Sequence, residues 1–195
     1  MKKTYLPILL VAAVLSVAPS ARATSFLLND FSGNLYTASS TLVGTTNEIR
    51  FGFFAGGFTP TVSNYGSWLS NFTGVSGYFD GSTPEWSAAI DLGDNALYPV
   101  NTQLSVIAYN VLDNVNPSTA TQAAIFTDTA WKITASAGAD PTQNYFAIGG
   151  STSALVGSIT GGNVYMAVIP EPSTLSLMGL GLVCLMGGRR SRSRS

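Results

Sequence analysis

Two pairs of carboxylates, Asp80 with Glu85 and Asp91 with Asp94, have the residue types that glycoside hydrolysis uses, one group as acid and the other as base or nucleophile. Both pairs lie in stretches rich in Gly, Ser and Asn, where aspartate also caps its own turn. A carboxylate-based glycoside hydrolase is therefore the weakest function kept open. Asp91-Leu92-Gly93-Asp94-Asn95 gathers hard oxygens of the kind calcium takes, without the EF-hand spacing, and neither a metal site nor a cofactor is assigned. The chain has no histidine. That excludes Ser-His-Asp triads, Cys-His dyads and histidine-ligated zinc or copper, and no catalytic residue is assigned.

The aromatic residues admit a second chemistry. Trp68, Trp86 and Trp131, with Tyr65, Tyr78, Tyr98, Tyr109 and Tyr145, suit the apolar faces of pyranose rings or the inside of a domain. Core packing is the stronger reading, because a β domain without disulfides draws on large rings for buried apolar area, worth ~25 cal/mol per Å². Trp86, after Pro84-Glu85 in a loop-like context, is the ring expected at the surface. Asn71-Phe72-Thr73 fits an N-glycosylation pattern by accident of composition.

The elements that must position these residues read as mainly β. Short runs rich in Val, Ile, Phe, Tyr, Trp and Thr alternate with turn clusters such as Asp80-Gly81-Ser82 and Gly161-Gly162-Asn163. Strands are expected near Leu35 to Thr41, Glu48 to Phe54, Gln103 to Tyr109, Ala123 to Phe126, Trp131 to Ala135, Tyr145 to Ile148, Ala154 to Ile159 and Val164 to Val168. In the second of these, Ile49, Phe51 and Phe53 should point inward while Glu48 and Arg50 point to water. Thr61 to Phe72 dissents: Tyr65, Trp68, Leu69 and Phe72 fall at helical spacing behind Pro60, which predicts a short helix. The expected fold is an antiparallel β-sandwich or small barrel, with no long-period repeat.

Both ends of the chain differ from this middle. Lys2 and Lys3 precede an apolar stretch from Leu6 to Ala18 and then Ala21-Arg22-Ala23, the plan of a secretory signal peptide over residues 1–23, cut by signal peptidase between Ala23 and Thr24. Cleavage after Ala21 would put Pro19 where a small residue is wanted. At the other end, Pro170-Glu171-Pro172 leads into an uncharged run, Ser173 to Gly188, followed by Arg189, Arg190, Arg192 and Arg194. Sixteen helical residues at ~1.5 Å each span roughly 24 Å, short of a ~30 Å hydrocarbon core, so this transmembrane helix is a marginal anchor. The positive-inside rule puts both ends in the cytoplasm and 24–169 outside.

This ending, a Pro-Glu-Pro motif, a Gly-spaced apolar run and a terminal arginine cluster in that order, resembles the PEP-CTERM sorting signal of Gram-negative bacteria, which exosortases recognise. The resemblance covers 170–195 and implies export, transient anchoring in the inner membrane and processing near the motif. By it, Pro170, Glu171 and Pro172 are the recognised residues and the arginines the membrane stop. Phe51 to Pro60, Phe126 to Ala135 and Ala147 to Gly150 are loosely similar to stretches of other small uncharacterised exported proteins of this kind, and no activity comes with that likeness.

Setting the ends aside changes the charge. Seven of nine basic residues lie in them, leaving Arg50 and Lys132 against nine acidic residues in 24–169, a formal −7 where the whole chain has −1. Such a surface does not attract nucleic acid. The single cysteine, Cys184, sits in the apolar run, so the exported domain has no disulfide and depends on its core. The expected protein is a non-enzymatic component of the cell surface or an exopolysaccharide matrix, with a carbohydrate-binding module as the alternative.

Overall fold

The computed structural model describes residues 25–30, 32–91, 97–133 and 144–170. The signal-peptide and anchor segments, with Ala23, Thr24, Glu171, Pro172, the helix expected at 173–188 and the four terminal arginines, lie outside them, as does the 92–95 part of the calcium-like loop. Among the described residues no helix is long and apolar enough to cross a membrane.

The large sheet is built from β1 (Ser25–Asp30), β3 (Thr46–Phe54), β4 (Phe72–Asp80), β5 (Glu85–Asp91), β6 (Gln103–Leu112), β7 (Gln122–Lys132), β8 (Asn144–Phe146), β9 (Thr152–Val156) and β12 (Ala167–Val168). Its order is β12-β7-β6-β3-β4-β5-β1-β8, with β9 also on β7. All pairings are antiparallel except β1 with β8, and the sheet curls into a half-barrel. A small sheet, β10 (Ser158–Thr160), β11 (Asn163–Tyr165) and β2 (Leu35–Tyr36), supplies Leu35, Val164 and Ile159 to the inner core.

Glycine makes the curl possible. Gly52 faces Gly74 across β3 and β4. A Cβ on Gly52 would stand 2.1 Å from the Thr73 carbonyl oxygen, and one on Gly74 2.4 Å from that of Phe51, so the two backbones approach more closely than any side chain allows.

Both faces of the central strands are covered. Ile49, Phe51, Val106, Ala108 and Phe126 point into the half-barrel, where they meet Phe26, Phe79, Trp86, Trp131 and Phe146. On the opposite face Ile107, Tyr109, Ala123 and Ile125 lie beneath Trp68, Val156 and Ile169. Trp68 comes from the segment expected to be helical, which forms two 3-10 turns, Val62–Ser67 and Leu69–Asn71. Its indole donates to Thr61 O at 3.0 Å and Asn64 Oδ1 at 2.9 Å. Tight turns suffice to bury Trp68 fully, with Val62, Tyr65 and Phe72 packed half-buried beside it, while Leu69 remains 41 % exposed.

Several expected elements are redrawn. Strands β1, β4 and β5 were not anticipated: Gly74 and Gly77 make β4 look like turn material, although a Cβ on Gly77 would meet Ser87 O at 2.3 Å, a close strand contact. The strand expected at 123–126 and the start of the one expected at 131–135 are one strand, β7, which ends at Lys132 and whose pairing with β6 slips between Gln103 and Ser105; Thr134 and Ala135 lie outside the described residues. The strand expected at 154–159 breaks at Gly157, whose φ of +83° turns the chain from the large sheet into the small one.

Two side-chain expectations are overturned. Glu48 is 2 % exposed rather than pointing to water, because the outer face of β3 is itself covered. Trp86 is fully buried, not superficial. It sits on β5 between Phe79 and Phe126, at 4.6 and 5.3 Å between ring centroids, and its indole N–H donates to Gly33 O at 2.6 Å. Replacing Trp86 by Ala should cost about 3–5 kcal/mol of unfolding free energy in a denaturant titration. A loss within ~0.5 kcal/mol, the range of an ordinary surface change, would restore the exposed reading.

Candidate functional site

Three carboxylates of the curled sheet, Asp30, Asp80 and Asp128, accept backbone N–H groups. Asp80 and Glu85 face each other in the β4–β5 register, the one of the two candidate carboxylate pairs that the described residues bring together. Asp80 Oδ1, however, accepts the Ser82 N–H at 2.9 Å and the Ser82 hydroxyl at 2.7 Å. These hydrogen bonds hold Asp80 below the usual carboxylate range. That is the opposite of the shift the acid of a glycosidase pair needs. Beside the pair, Gly44, Thr45, Thr46, Ser82, Leu112 and Asp113 join Asp80 around an open cleft of about 510 Å³. Asp113 accepts from Asn114 Nδ2 at 2.7 Å there.

Deeper along β3, Glu48 meets Arg50 at 2.8 Å and accepts the Asn114 N–H at 3.3 Å. Burial pushes the Glu48 carboxyl up, and Arg50 and the Asn114 N–H oppose it. Tyr109 lies on the same covered face, its phenol without a hydrogen-bond partner and its acidity suppressed, first by burial. No group of three or more His, Cys, Asp or Glu side chains stands ready for a metal ion among the described residues.

Asp30 and Asp128 carried no sequence signal beyond their turn contexts, yet both are buried anchors. Asp30 Oδ1 takes the Ser32 N–H and hydroxyl, while Oδ2 takes the Ile148 N–H at 2.8 Å. Asp128 accepts the Ala130 N–H and the hydroxyls of Ser151 and Thr152, tying the 149–152 turn to β7.

Of the aromatic set, Trp68, Trp86, Trp131 and Tyr109 are interior. Tyr98 packs edge-on against Phe53. A pair the sequence did not single out, Tyr36 and Tyr165, stacks at 4.8 Å between centroids with planes 13° apart. The two are register partners on β2 and β11, half-buried on the face of the small sheet away from the core.

The chain leaves the domain along β12. Ala167 and Val168 pair with Ala123 and Gln122, Ile169 is buried, and Pro170 is exposed. A profile of the PEP-CTERM protein-sorting motif matches residues 168–192. It therefore begins on the last strand and runs through the Pro-Glu-Pro motif, the apolar run and the first three arginines of the tail. No curated protein and no solved structure matches the chain.

Asp128 gives these anchors a pH signature. Burial raises its pKa, but the hydrogen bonds from Ala130, Ser151 and Thr152 together hold it below the usual range. A depressed folded value means that its stabilisation is complete above the unfolded pKa of ~3.9 and is lost as pH falls through the folded value. Asp128→Asn should cost about 1–3 kcal/mol near neutrality. The difference from the native chain should shrink once pH drops below about 4, as read by denaturant titration across acid pH; a constant difference would count against the role.

What the described exit strand and the matched residues establish is that this chain carries a PEP-CTERM protein-sorting motif, whose match begins on the last described strand of a β-rich domain.

Proposed function

We propose that this is a non-enzymatic exported protein of the cell envelope or extracellular matrix. It enters the general secretory route through residues 1–23 and is released from them by signal peptidase after Ala23. Residues 173–188 and the arginines at 189, 190, 192 and 194 then hold it transiently in the inner membrane. An exosortase recognises Pro170-Glu171-Pro172 and separates the domain from its anchor, leaving it at the cell surface or in an exopolysaccharide matrix. The observation that carries this reading is the sorting motif emerging at Pro170, the first exposed residue behind a buried one. The acidic 24–169 stretch and the commitment of Asp30, Asp80 and Asp128 to backbone groups favour a structural role over catalysis.

Mass spectrometry of both termini, in membrane and secreted fractions with and without the exosortase, tests the route. The mature product should begin at Thr24 and lack Arg189 to Ser195. Retention of those arginines in the secreted fraction would refute the sorting role, and an intact Met1 to Ala23 would refute the signal peptide.

A carbohydrate-binding role is the second reading, favoured by the Tyr36 and Tyr165 stack. Ser158 is the register partner of Tyr165, and Leu42 bridges to Tyr36. The four make an uncharged row on an acidic domain, suited to a neutral glycan. Replacing both tyrosines by Ala should weaken binding to the producing cell's own polysaccharide by about tenfold or more. Unchanged affinity in a pull-down with immobilised polysaccharide would dismiss this surface.

A further inference from the structure

The sorting motif begins inside the fold. Its match starts at Val168, the second residue of β12, whose pairing with Gln122 of β7 continues that of Ala167 with Ala123. The Met166 N–H donates to Tyr36 O at 2.9 Å and the Ile169 N–H to Thr121 O at 2.8 Å. Ile169 is 3 % exposed, in the outer cluster with Trp68 and Tyr109. Met166 is 3 % exposed on the inner side. From Met166 to Ile169, then, every residue is held by backbone pairing, by burial or by both, and the hold ends at Pro170, which is exposed.

Peptide-bond cleavage needs the substrate in an extended form, threaded through the enzyme's cleft on both sides of the bond. For any bond between Met166 and Ile169, that requires β12 to leave β7. Ile169 must then come out of the outer cluster, and the edge of β7 at Gln122 and Ala123 is left unpaired, a local unfolding with its own free-energy cost. For bonds beyond Ile169 that cost falls with each residue standing between the bond and β12.

Resting on the sorting role, we propose that the processing enzyme cuts this chain only on the C-terminal side of Ile169, so that the released domain keeps β12 whole and the fold itself sets the upstream limit of the sorting signal. No spacer separates the buried end of β12 from the motif, so the enzyme works against the domain's rim. The groups that hold the exit there are neutral: Tyr36 O and Thr121 O accept from the exit strand, and Asn110 Oδ1 accepts the N–H groups of Thr121 and Gln122.

The test is the intact mass of the domain released from full-length native chain in cells that contain the exosortase. Products should end at Ile169 or a later residue. A product ending at Val168 or earlier overturns the proposal. Ile169→Asp, which unseats β12, should add shorter products that the native chain does not give. Because that variant can fail to fold, limited proteolysis of the detergent-solubilised native chain gives an independent reading. It should find cuts beyond Ile169 and none from Met166 to Ile169, and cuts within those four residues would overturn the limit. A tail that persists in every fraction points to a different failure, that of the sorting role itself, and the limit on its processing falls with it.

Discussion

The absence of cysteine and histidine from 24–169 leaves the domain without a disulfide and without the commonest soft metal ligand, so stability has to come from burial on both faces of one curled sheet. The strands β3, β6 and β7 meet that demand by alternating between two cores, and their side chains show it. Ile107 points out against Ile125 while Val106 and Phe126 point in. Three tryptophans serve the two cores, Trp86 and Trp131 inside the half-barrel and Trp68 as the lid of the outer cluster. Rings of this size contribute the area that covalent links supply in other small exported domains. The curl that brings the inner rings together relies in turn on the close approach of Gly52 and Gly74.

Covering both faces has a consequence for polar groups. Carboxylates that a one-sided sheet would leave in water become buried, and each is answered locally. Besides near neighbours, Asp30 takes the Ile148 N–H and Asp128 the hydroxyls of Ser151 and Thr152, which pins the 148–152 connection to two separate parts of the sheet. Glu48 shares Arg50 and the Asn114 N–H. In each case the charge is spent on positioning a turn. The chemistry that paired carboxylates suggest in isolation is thereby redirected toward architecture, and Asp80 shows it most plainly, with one oxygen taking two groups of Ser82.

The same architecture gives the sorting motif its setting. A tail attached through a loose linker would leave the domain indifferent to its processing. Here the last strand is a structural part of the large sheet, and Ile169 belongs to the outer core that Trp68 closes. Address and fold share residues, and the boundary between them falls where burial gives way to exposure, at Pro170.

Composition and local pattern already determined the β class, the turns at Asp80-Gly81-Ser82 and Gly161-Gly162-Asn163, the inward set Ile49, Phe51 and Phe53, and the sorting tail. These are properties of neighbouring residues: alternation with period two, αL-tolerant turn types, and an ordered run of Pro, apolar and Arg residues. Tertiary structure alone decided the rest. Strand β4 exists because β3 lies close enough to need glycine opposite glycine, and Trp86 is interior because Phe79, Phe126 and Gly33 come to it from other parts of the chain. Glu48 is buried where the turn after β6 meets β3 and gives it the Asn114 N–H. Burial is a property of what arrives from far away in sequence, and no local window of residues contains it.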